Sequence, residues 1–89
     1  MKKVALITGG SRGIGYGVAQ HLASQGFNLV INGVRPAGSV ENIILKLKHS
    51  GVDVIYCQGD IAKREDRKKI LDEVEKHYSR LDVLVNNAG

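Results

Sequence analysis

The sequence contains little cysteine, no tryptophan and no long apolar run. A single cysteine, Cys57, among 89 residues excludes an internal disulfide framework and a cysteine-built metal site, and it is typical of a reducing compartment. The apolar run after Lys3 ends before Thr8, too early for the core of a signal peptide, and no run approaches the roughly 20 residues of a transmembrane helix. These absences predict a cytoplasmic protein with no membrane partner, in which Cys57 is a small buried hydrophobe.

The chain is moderately basic, with 13 Lys and Arg against 9 Asp and Glu. Its densest basic segment is 63–69, where Glu65 and Asp66 are interleaved with the cations. A nucleic-acid surface would need a one-sided basic stripe with aromatic side chains for stacking, and none of the aromatic residues lies in this segment. The pattern therefore favours a solvent-facing helix over a nucleic-acid partner. The three histidines are far apart on different predicted helices, so no metal site is predicted.

Apolar segments of the chain alternate between strand and helix patterns. The predicted strands are 4–7, 29–31, 52–57 and 81–85, and the predicted helices are 13–25, 39–51 and 63–79, the second with Ser39 as its N-cap. Strands joined by helical crossovers run parallel, with right-handed connections. The sequence therefore predicts an α/β fold, a Rossmann-type parallel sheet with topology βαβαβαβ and strand order 3-2-1-4, truncated after strand 4.

A glycine-rich turn, Thr8–Gly15, connects the first strand to the first helix. A diphosphate needs backbone N–H donors and the positive end of a helix dipole, and a Cβ at the contact points would hold it away. Gly9 permits the tight turn, Gly13 the close approach of the backbone, and Gly15 close packing of helix on strand. The alternative is a turn that only joins the two elements. The predicted cofactor residues here are Gly9, Gly10, Ser11, Arg12, Gly13, Ile14 and Gly15.

The spacing of this turn, T-G-x-x-x-G-x-G, differs from G-x-G-x-x-G, and the Gly-Lys-Ser/Thr of a P-loop is absent. It resembles the cofactor turn of the short-chain dehydrogenase/reductases, and the resemblance extends through the whole chain. Asp60 and Ile61 match residues that lie against the adenine in that family. The last four residues, Asn86, Asn87, Ala88 and Gly89, match its N-N-A-G motif at the end of strand 4.

The resemblance implies that these six residues also contact the cofactor. Asp60 could also cap the following helix, and Asn86 and Asn87 could mainly fix strand 4 through their side-chain amides. Within the family, the sequence is most similar to 3-oxoacyl-acyl-carrier-protein reductases. A Rossmann-type methyltransferase, a different class of protein, conflicts with the N-N-A-G motif.

The residues around the predicted adenosine ribose favour NADP over NAD. A carboxylate at the end of the second strand would accept the ribose hydroxyls and repel a 2′-phosphate, but residues 31–36 contain none. Arg35 lies in this segment and Arg12 in the glycine-rich turn, and guanidinium groups bind phosphate through charge-assisted hydrogen bonds. The sequence predicts NADP as the cofactor, with NAD as the alternative. Arg35 could instead be a solvated loop residue.

The catalytic Tyr-x-x-x-Lys pair of the family is absent from these residues. Tyr16, Tyr56 and Tyr78 are each followed, four residues on, by Gln or Asp, and the pair lies beyond N-N-A-G in the family. Residues 1–89 are therefore interpreted as the N-terminal part of one NAD(P)-binding domain whose catalytic half is missing. The resemblance implies carbonyl reduction or secondary-alcohol oxidation on a small-molecule substrate, and a homo-oligomer at full length. The alternative is a non-catalytic, truncated nucleotide-binding module.

Overall fold

The computed structural model describes residues 2–87, so the predicted cofactor residues Ala88 and Gly89 lie outside the described part of the chain. Strands and helices alternate along it. The strands are β1 Val4–Thr8, β2 Asn28–Gly33, β3 Val54–Gln58 and β4 Val83–Asn86, and the helices are α1 Gly13–Ser24, α2 Glu41–Lys48 and α3 Arg64–Tyr78. A short 3-10 turn, Ala37–Ser39, precedes α2.

The four strands form one parallel sheet in the order β3-β2-β1-β4. This confirms the predicted fold class and strand order. Thr8 pairs with Asn32 on one side and with Asn86 on the other, so the carboxyl ends of β1, β2 and β4 meet at one edge. The strand order reverses at β1, and parallel α/β sheets leave a crevice at such a point.

Helices cover both faces of the sheet. Ala19 and Ala23 of α1 pack on Ile7 and Ile31, and their small side chains bring the helix close to the strands. On the opposite face Ile70 and Val74 of α3 pack against Val4, Leu6, Val30 and Cys57. All five residues of β1 are buried. A fully buried aliphatic side chain stabilises a fold by about 1.5–3 kcal/mol, so β1 contributes strongly to holding the two layers together.

The start of α2 differs from the prediction. Ser39 ends the 3-10 turn instead of capping the helix, and Val40 is the N-cap residue, without a side-chain capping hydrogen bond. The Val40 side chain is buried. The helix therefore begins at a buried valine that offers no side-chain acceptor to the N–H groups of the first turn.

Strand β4 begins two residues later than the pattern indicates. Asp82 lies just before it and accepts a hydrogen bond from the Val4 N–H at 2.8 Å, and Arg80 pairs with the same carboxylate at 2.7–2.8 Å. These hydrogen bonds hold the Asp82 pKa below its usual value, with the Arg80 bond the larger cause.

In the part of the chain that the structure describes, no helix is long and apolar enough to cross a bilayer.

Candidate functional site

A cleft of about 520 Å³ opens at the carboxyl edge of the sheet. Its walls are formed by residues 9 and 11–14 of the glycine-rich turn, 32–35 at and after the end of β2, 59–61 after β3, and Asn87 after β4. Four segments that are distant in sequence thus meet at the place where the strand order reverses. Most of the predicted cofactor residues lie in these walls.

The N-terminus of α1 faces this cleft with unpaired backbone donors. Arg12 is the N-cap residue in extended backbone, with no side-chain capping hydrogen bond. The first helical hydrogen bond runs from the Tyr16 N–H to the Arg12 carbonyl at 3.3 Å. Within residues 2–87, the N–H groups of Gly13, Ile14 and Gly15 therefore have no acceptor. Free N–H groups at a helix N-terminus, together with the helix dipole, form an anion site.

Gly13 and Gly15 serve this end of the helix in different ways. Gly13 has a φ of +61°, which favours glycine, and a Cβ there would meet nothing within 4 Å. The space over Gly13 is therefore open to a ligand. A Cβ on Gly15 would collide with the Gly9 carbonyl oxygen and lie 2.6 Å from Asn87 Nδ2. Gly15 thus allows α1 to pack closely against the glycine-rich turn and Asn87. The sequence had predicted that Gly15 allows the helix to pack on the strand.

Gly10 faces the core. It is buried, its N–H donates to the Asn32 carbonyl at 3.1 Å, and a Cβ would lie 3.1–3.2 Å from Ile7 and Ile31. Gly10 therefore fixes the glycine-rich turn to β2. It does not form part of the cleft wall.

Asn86 and Asn87 lie on different sides of the sheet edge. The Asn87 N–H donates to Thr8 Oγ1 at 3.0 Å, its Nδ2 donates to the Gly9 carbonyl at 3.2 Å, and the residue lines the cleft. Asn86 Oδ1 accepts from the Thr8 hydroxyl at 3.4 Å and lines a smaller apolar groove beside Leu71 and Leu84. The structural role foreseen for both residues, fixing the end of β4, agrees with these hydrogen bonds.

Arg35 extends from the loop after β2 to the glycine-rich turn. Its Nη2 donates to the Ser11 carbonyl at 2.9 Å, and its buried Nε has no acceptor in the described chain. Arg35 is half-buried, so it is not the solvated loop residue that was the alternative. Arg12, which is exposed, lines the same cleft. Two guanidinium groups in one cleft favour a ligand with more than one phosphate.

Asp60 shapes the loop after β3. Its Oδ1 accepts from the Ala62 N–H at 3.0 Å, and its own N–H donates to Asp66 Oδ2 at 2.7 Å. The N-cap residue of α3 is Lys63, so Asp60 does not cap that helix. Asp60 and Ile61 both line the cleft, and Asp60 Oδ2 has no partner among the described residues.

Two residues that the sequence did not single out organise the site. Asn32 is buried, and its Nδ2 donates to the carbonyls of Cys57 and Gly59 at 3.0 and 3.1 Å. A polar residue ending the apolar run 29–31 was the available signal. Tyr56 donates to the Arg35 carbonyl at 2.6 Å. Burial raises the pKa of the Tyr56 phenol, while the Arg35 charge lowers it by less, so the phenol stays protonated as a donor at neutral pH.

The predicted role of Cys57 is confirmed. It lies in β3, buried against the α3 face, and burial raises the pKa of its thiol to about 11. A thiol with this pKa is almost entirely protonated at neutral pH and is a poor nucleophile. No group of three His, Cys, Asp or Glu side chains within residues 2–87 is arranged to hold a metal ion.

A family model described as short chain dehydrogenase matches residues 3–89. The chain belongs to the short-chain dehydrogenase family. It is 40% identical over 89 residues to a 3-oxoacyl-acyl-carrier-protein reductase of Staphylococcus aureus, a match that covers 100% of this chain and 36% of the relative. The chain spans about a third of the length of the curated relatives it matches.

Solved structures of the family superpose closely on this sheet. An L-sorbose reductase from Gluconobacter frateurii, complexed with NADPH and L-sorbose, matches with a TM-score of 0.92 and 35% identity, over 99% of this chain and 34% of that one. A 3-oxoacyl-acyl-carrier-protein reductase from Brucella melitensis, in complex with NAD, matches with a TM-score of 0.92 and 37% identity, over 100% and 34%. Members of the family with similar folds thus bind one or the other dinucleotide.

Proposed function

We propose that this chain is the NADP(H)-binding part of a short-chain dehydrogenase/reductase that interconverts a carbonyl and a secondary alcohol. The observation that carries the choice of NADP is the position of Arg35, which lines the cleft and donates to the Ser11 carbonyl. The similarity to 3-oxoacyl-acyl-carrier-protein reductases supports 3-oxoacyl thioesters as the substrate class.

In this proposal, each wall of the cleft would contact a different part of the dinucleotide. The free N–H groups of Gly13, Ile14 and Gly15 would hold the diphosphate. Arg12 and Arg35 would hold the 2′-phosphate. Asp60 and Ile61 would contact the adenine. Asn87 would contact the ribose that carries the nicotinamide. When bound, the nicotinamide would accept or supply the hydride.

A hydrogen bond between Arg35 and a 2′-phosphate would contribute enough binding free energy to favour NADPH over NADH. Hydrogen bonds to a charged group contribute about 1.5–3 kcal/mol each. Such a gain corresponds to roughly a tenfold to hundredfold preference for NADPH over NADH. A carboxylate at the end of β2 would remove it, since like charges about 4 Å apart repel by about 4 kcal/mol at an effective dielectric of about 20. Gly33 stands at the end of that strand, with no side chain to repel the phosphate.

Substitution of each arginine tests the choice of cofactor. We expect Arg35→Ala and Arg12→Ala to weaken NADPH binding while leaving NADH binding nearly unchanged, as measured by the fluorescence of the bound reduced nicotinamide. Arg64→Ala is the matched control, because Arg64 is exposed on α3 and lies outside the cleft wall. If neither cleft variant lowers NADPH affinity relative to NADH, the assignment of NADP is wrong.

Exposed apolar side chains near β4 support the proposal that the chain is part of a longer single domain. β4 lies at the edge of the sheet, with Leu84 59% exposed, and the neighbouring Leu71 of α3 is 52% exposed. Folded proteins normally cover an apolar edge of this kind. The whole protein would then carry the catalytic pair and the substrate loops, and assemble as a homo-oligomer.

The second candidate is a non-catalytic nucleotide-binding module. The 89 residues contain no Tyr-x-x-x-Lys pair, which agrees with both candidates, because the pair lies beyond the N-N-A-G motif in the family. The reading frame after Gly89 in the source DNA separates the two candidates. A Tyr-x-x-x-Lys pair downstream would support the enzyme, whereas a stop codon directly after Gly89 would leave only the module.

A further inference from the structure

Three successive carbonyls, at the end of β2 and in the loop that carries Arg35, accept hydrogen bonds from β3 and the residue after it. The carbonyl oxygens of residues 33, 34 and 35 accept, in order, from the Gly59 N–H at 2.9 Å, Gln58 Nε2 at 3.3 Å and the Tyr56 hydroxyl at 2.6 Å. The strand pairing of β2 with β3 ends at Gly33. The bonds to residues 34 and 35 therefore come from side chains that reach past the end of the ladder.

Gly33 leaves the room that the Tyr56 phenol occupies. A Cβ on Gly33 would lie 2.9 Å from the Tyr56 hydroxyl oxygen and 3.2 Å from Ser11 Oγ. Any side chain at position 33 would therefore displace the phenol or the turn. The same glycine that leaves no carboxylate at the end of β2 also permits the contact between Tyr56 and the Arg35 carbonyl.

Arg35 is consequently held at both ends. Its backbone carbonyl is bonded to Tyr56 and its guanidinium to the Ser11 carbonyl, at 2.6 and 2.9 Å. An arginine side chain has many rotamers, and a ligand that must order it binds more weakly than one that meets it already placed. Tyr56 does not line the cleft, so it could affect a ligand there only through Arg35 and its loop.

We propose that Tyr56 is a positioning residue for cofactor selectivity, which holds Arg35 in the orientation that favours a 2′-phosphate. This inference rests on the proposed function, because it assumes that Arg35 meets that phosphate. Gln58 assists by holding the preceding carbonyl, and its longer hydrogen bond makes it the weaker of the two.

The test compares two tyrosine-to-phenylalanine variants. Tyr56→Phe removes only the hydroxyl that holds Arg35. Tyr78→Phe removes a similar hydroxyl, bonded to Asp53 Oδ2 at 2.8 Å at a distance from the cleft. Loss of one net hydrogen bond corresponds to about a threefold to tenfold change in an equilibrium constant. We expect Tyr56→Phe to lower the ratio of NADPH to NADH affinity by about that factor, by weakening NADPH binding while NADH binding stays the same. Tyr78→Phe should leave the ratio unchanged. Gln58→Ala should lower it by less.

A double variant shows whether Tyr56 acts through Arg35. In an Arg35→Ala background, Tyr56→Phe should not change the affinity ratio further, because the arginine side chain through which Tyr56 acts is gone. Such a double-mutant cycle isolates the coupling energy between the two residues. The inference is overturned if the ratio still falls in that background. It is overturned equally if Tyr56→Phe weakens NADPH and NADH alike, or leaves the ratio unchanged while Arg35→Ala lowers it.

A readout without nucleotide separates this inference from the proposed function. Phenylglyoxal modifies accessible arginines, and peptide mass spectrometry gives the rate at each one. We expect Tyr56→Phe to speed the modification of Arg35 several-fold relative to Arg64, and Tyr78→Phe to have no effect. An unchanged rate at Arg35 would overturn the positioning role of Tyr56 whatever cofactor binds. A faster rate in a protein whose affinity ratio is insensitive to Arg35→Ala would instead overturn the assignment of the 2′-phosphate to Arg35.

Discussion

Replacement of Gly15 by alanine should destabilise the protein, although alanine favours helix. An alanine inside a helix is normally preferred over glycine by about 1 kcal/mol. At position 15, however, the new methyl group would collide with the Gly9 carbonyl oxygen and lie 2.6 Å from Asn87 Nδ2. The helix and the turn would have to separate, which breaks the 3.2 Å hydrogen bond from Asn87 Nδ2 to Gly9.

Three contributions to the free energy of unfolding combine to a net loss of stability. Overpacking of a tight contact costs about 1–3 kcal/mol, and loss of the hydrogen bond about 0.5–1.5 kcal/mol. The higher helix propensity of alanine offsets about 1 kcal/mol of this loss. We therefore expect Gly15→Ala to lower the free energy of unfolding by about 0.5–3.5 kcal/mol, as measured by urea denaturation followed by circular dichroism.

Gly17 provides the matched control in the same helix. It is exposed, and a Cβ there would meet nothing within 4 Å. Gly17→Ala should therefore raise the free energy of unfolding by up to about 1 kcal/mol, because only the helix preference changes. If Gly15→Ala were as stable as Gly17→Ala, the close packing of α1 on the glycine-rich turn would be wrong.

Three further predictions concern the same edge of the sheet and β3. Gly13→Val should abolish binding of both nucleotides in a fluorescence titration, since valine is strained at a φ of +61° and its side chain would fill the open space above the turn. Retained binding would remove the diphosphate site from this turn. Thr8→Val should lower the free energy of unfolding by about 1–3 kcal/mol in urea, because the Asn87 N–H loses its acceptor; an unchanged midpoint would contradict this. The folded pKa of Cys57 is raised from 9.0 to about 11, so the stability that its protonated thiol contributes is fully present below pH 9 and is lost as pH rises through 11. Thermal unfolding at several pH values should show less alkaline loss in Cys57→Ala than in the wild type, and equal loss in both would refute the burial argument.

The sheet could be predicted because its determinants are local. The apolar runs from Val4 and from Leu29, with helical spacing between them, define parallel strands joined by a crossover, and the handedness rule then limits the strand order. The glycine-rich turn was also recognisable, because its spacing differs from G-x-G-x-x-G and it lacks the Gly-Lys-Ser/Thr of a P-loop.

The parts that escaped prediction depend on contacts between distant segments. Ser39 has the chemistry of an N-cap, but the N-cap residue of α2 is Val40, whose side chain is buried. Gly10 stands among cleft residues in the sequence yet packs on the core. The hydrogen bond from Tyr56 to Arg35 joins residues 21 positions apart, and no local pattern indicates it.

In the proposed function, the N-terminus of α1 and Arg35 together bind the phosphates of a dinucleotide. The most direct measurement is a titration of the ¹⁵N-labelled protein with NADPH, followed by the backbone amide resonances and the Arg35 Nε–H resonance. We expect the largest shifts at Gly13, Ile14 and Gly15, with the Arg35 side chain shifting for NADPH and much less for NADH. Shifts confined to other parts of the chain, or no shifts at saturating NADPH, would show that the phosphates do not bind at this end of α1.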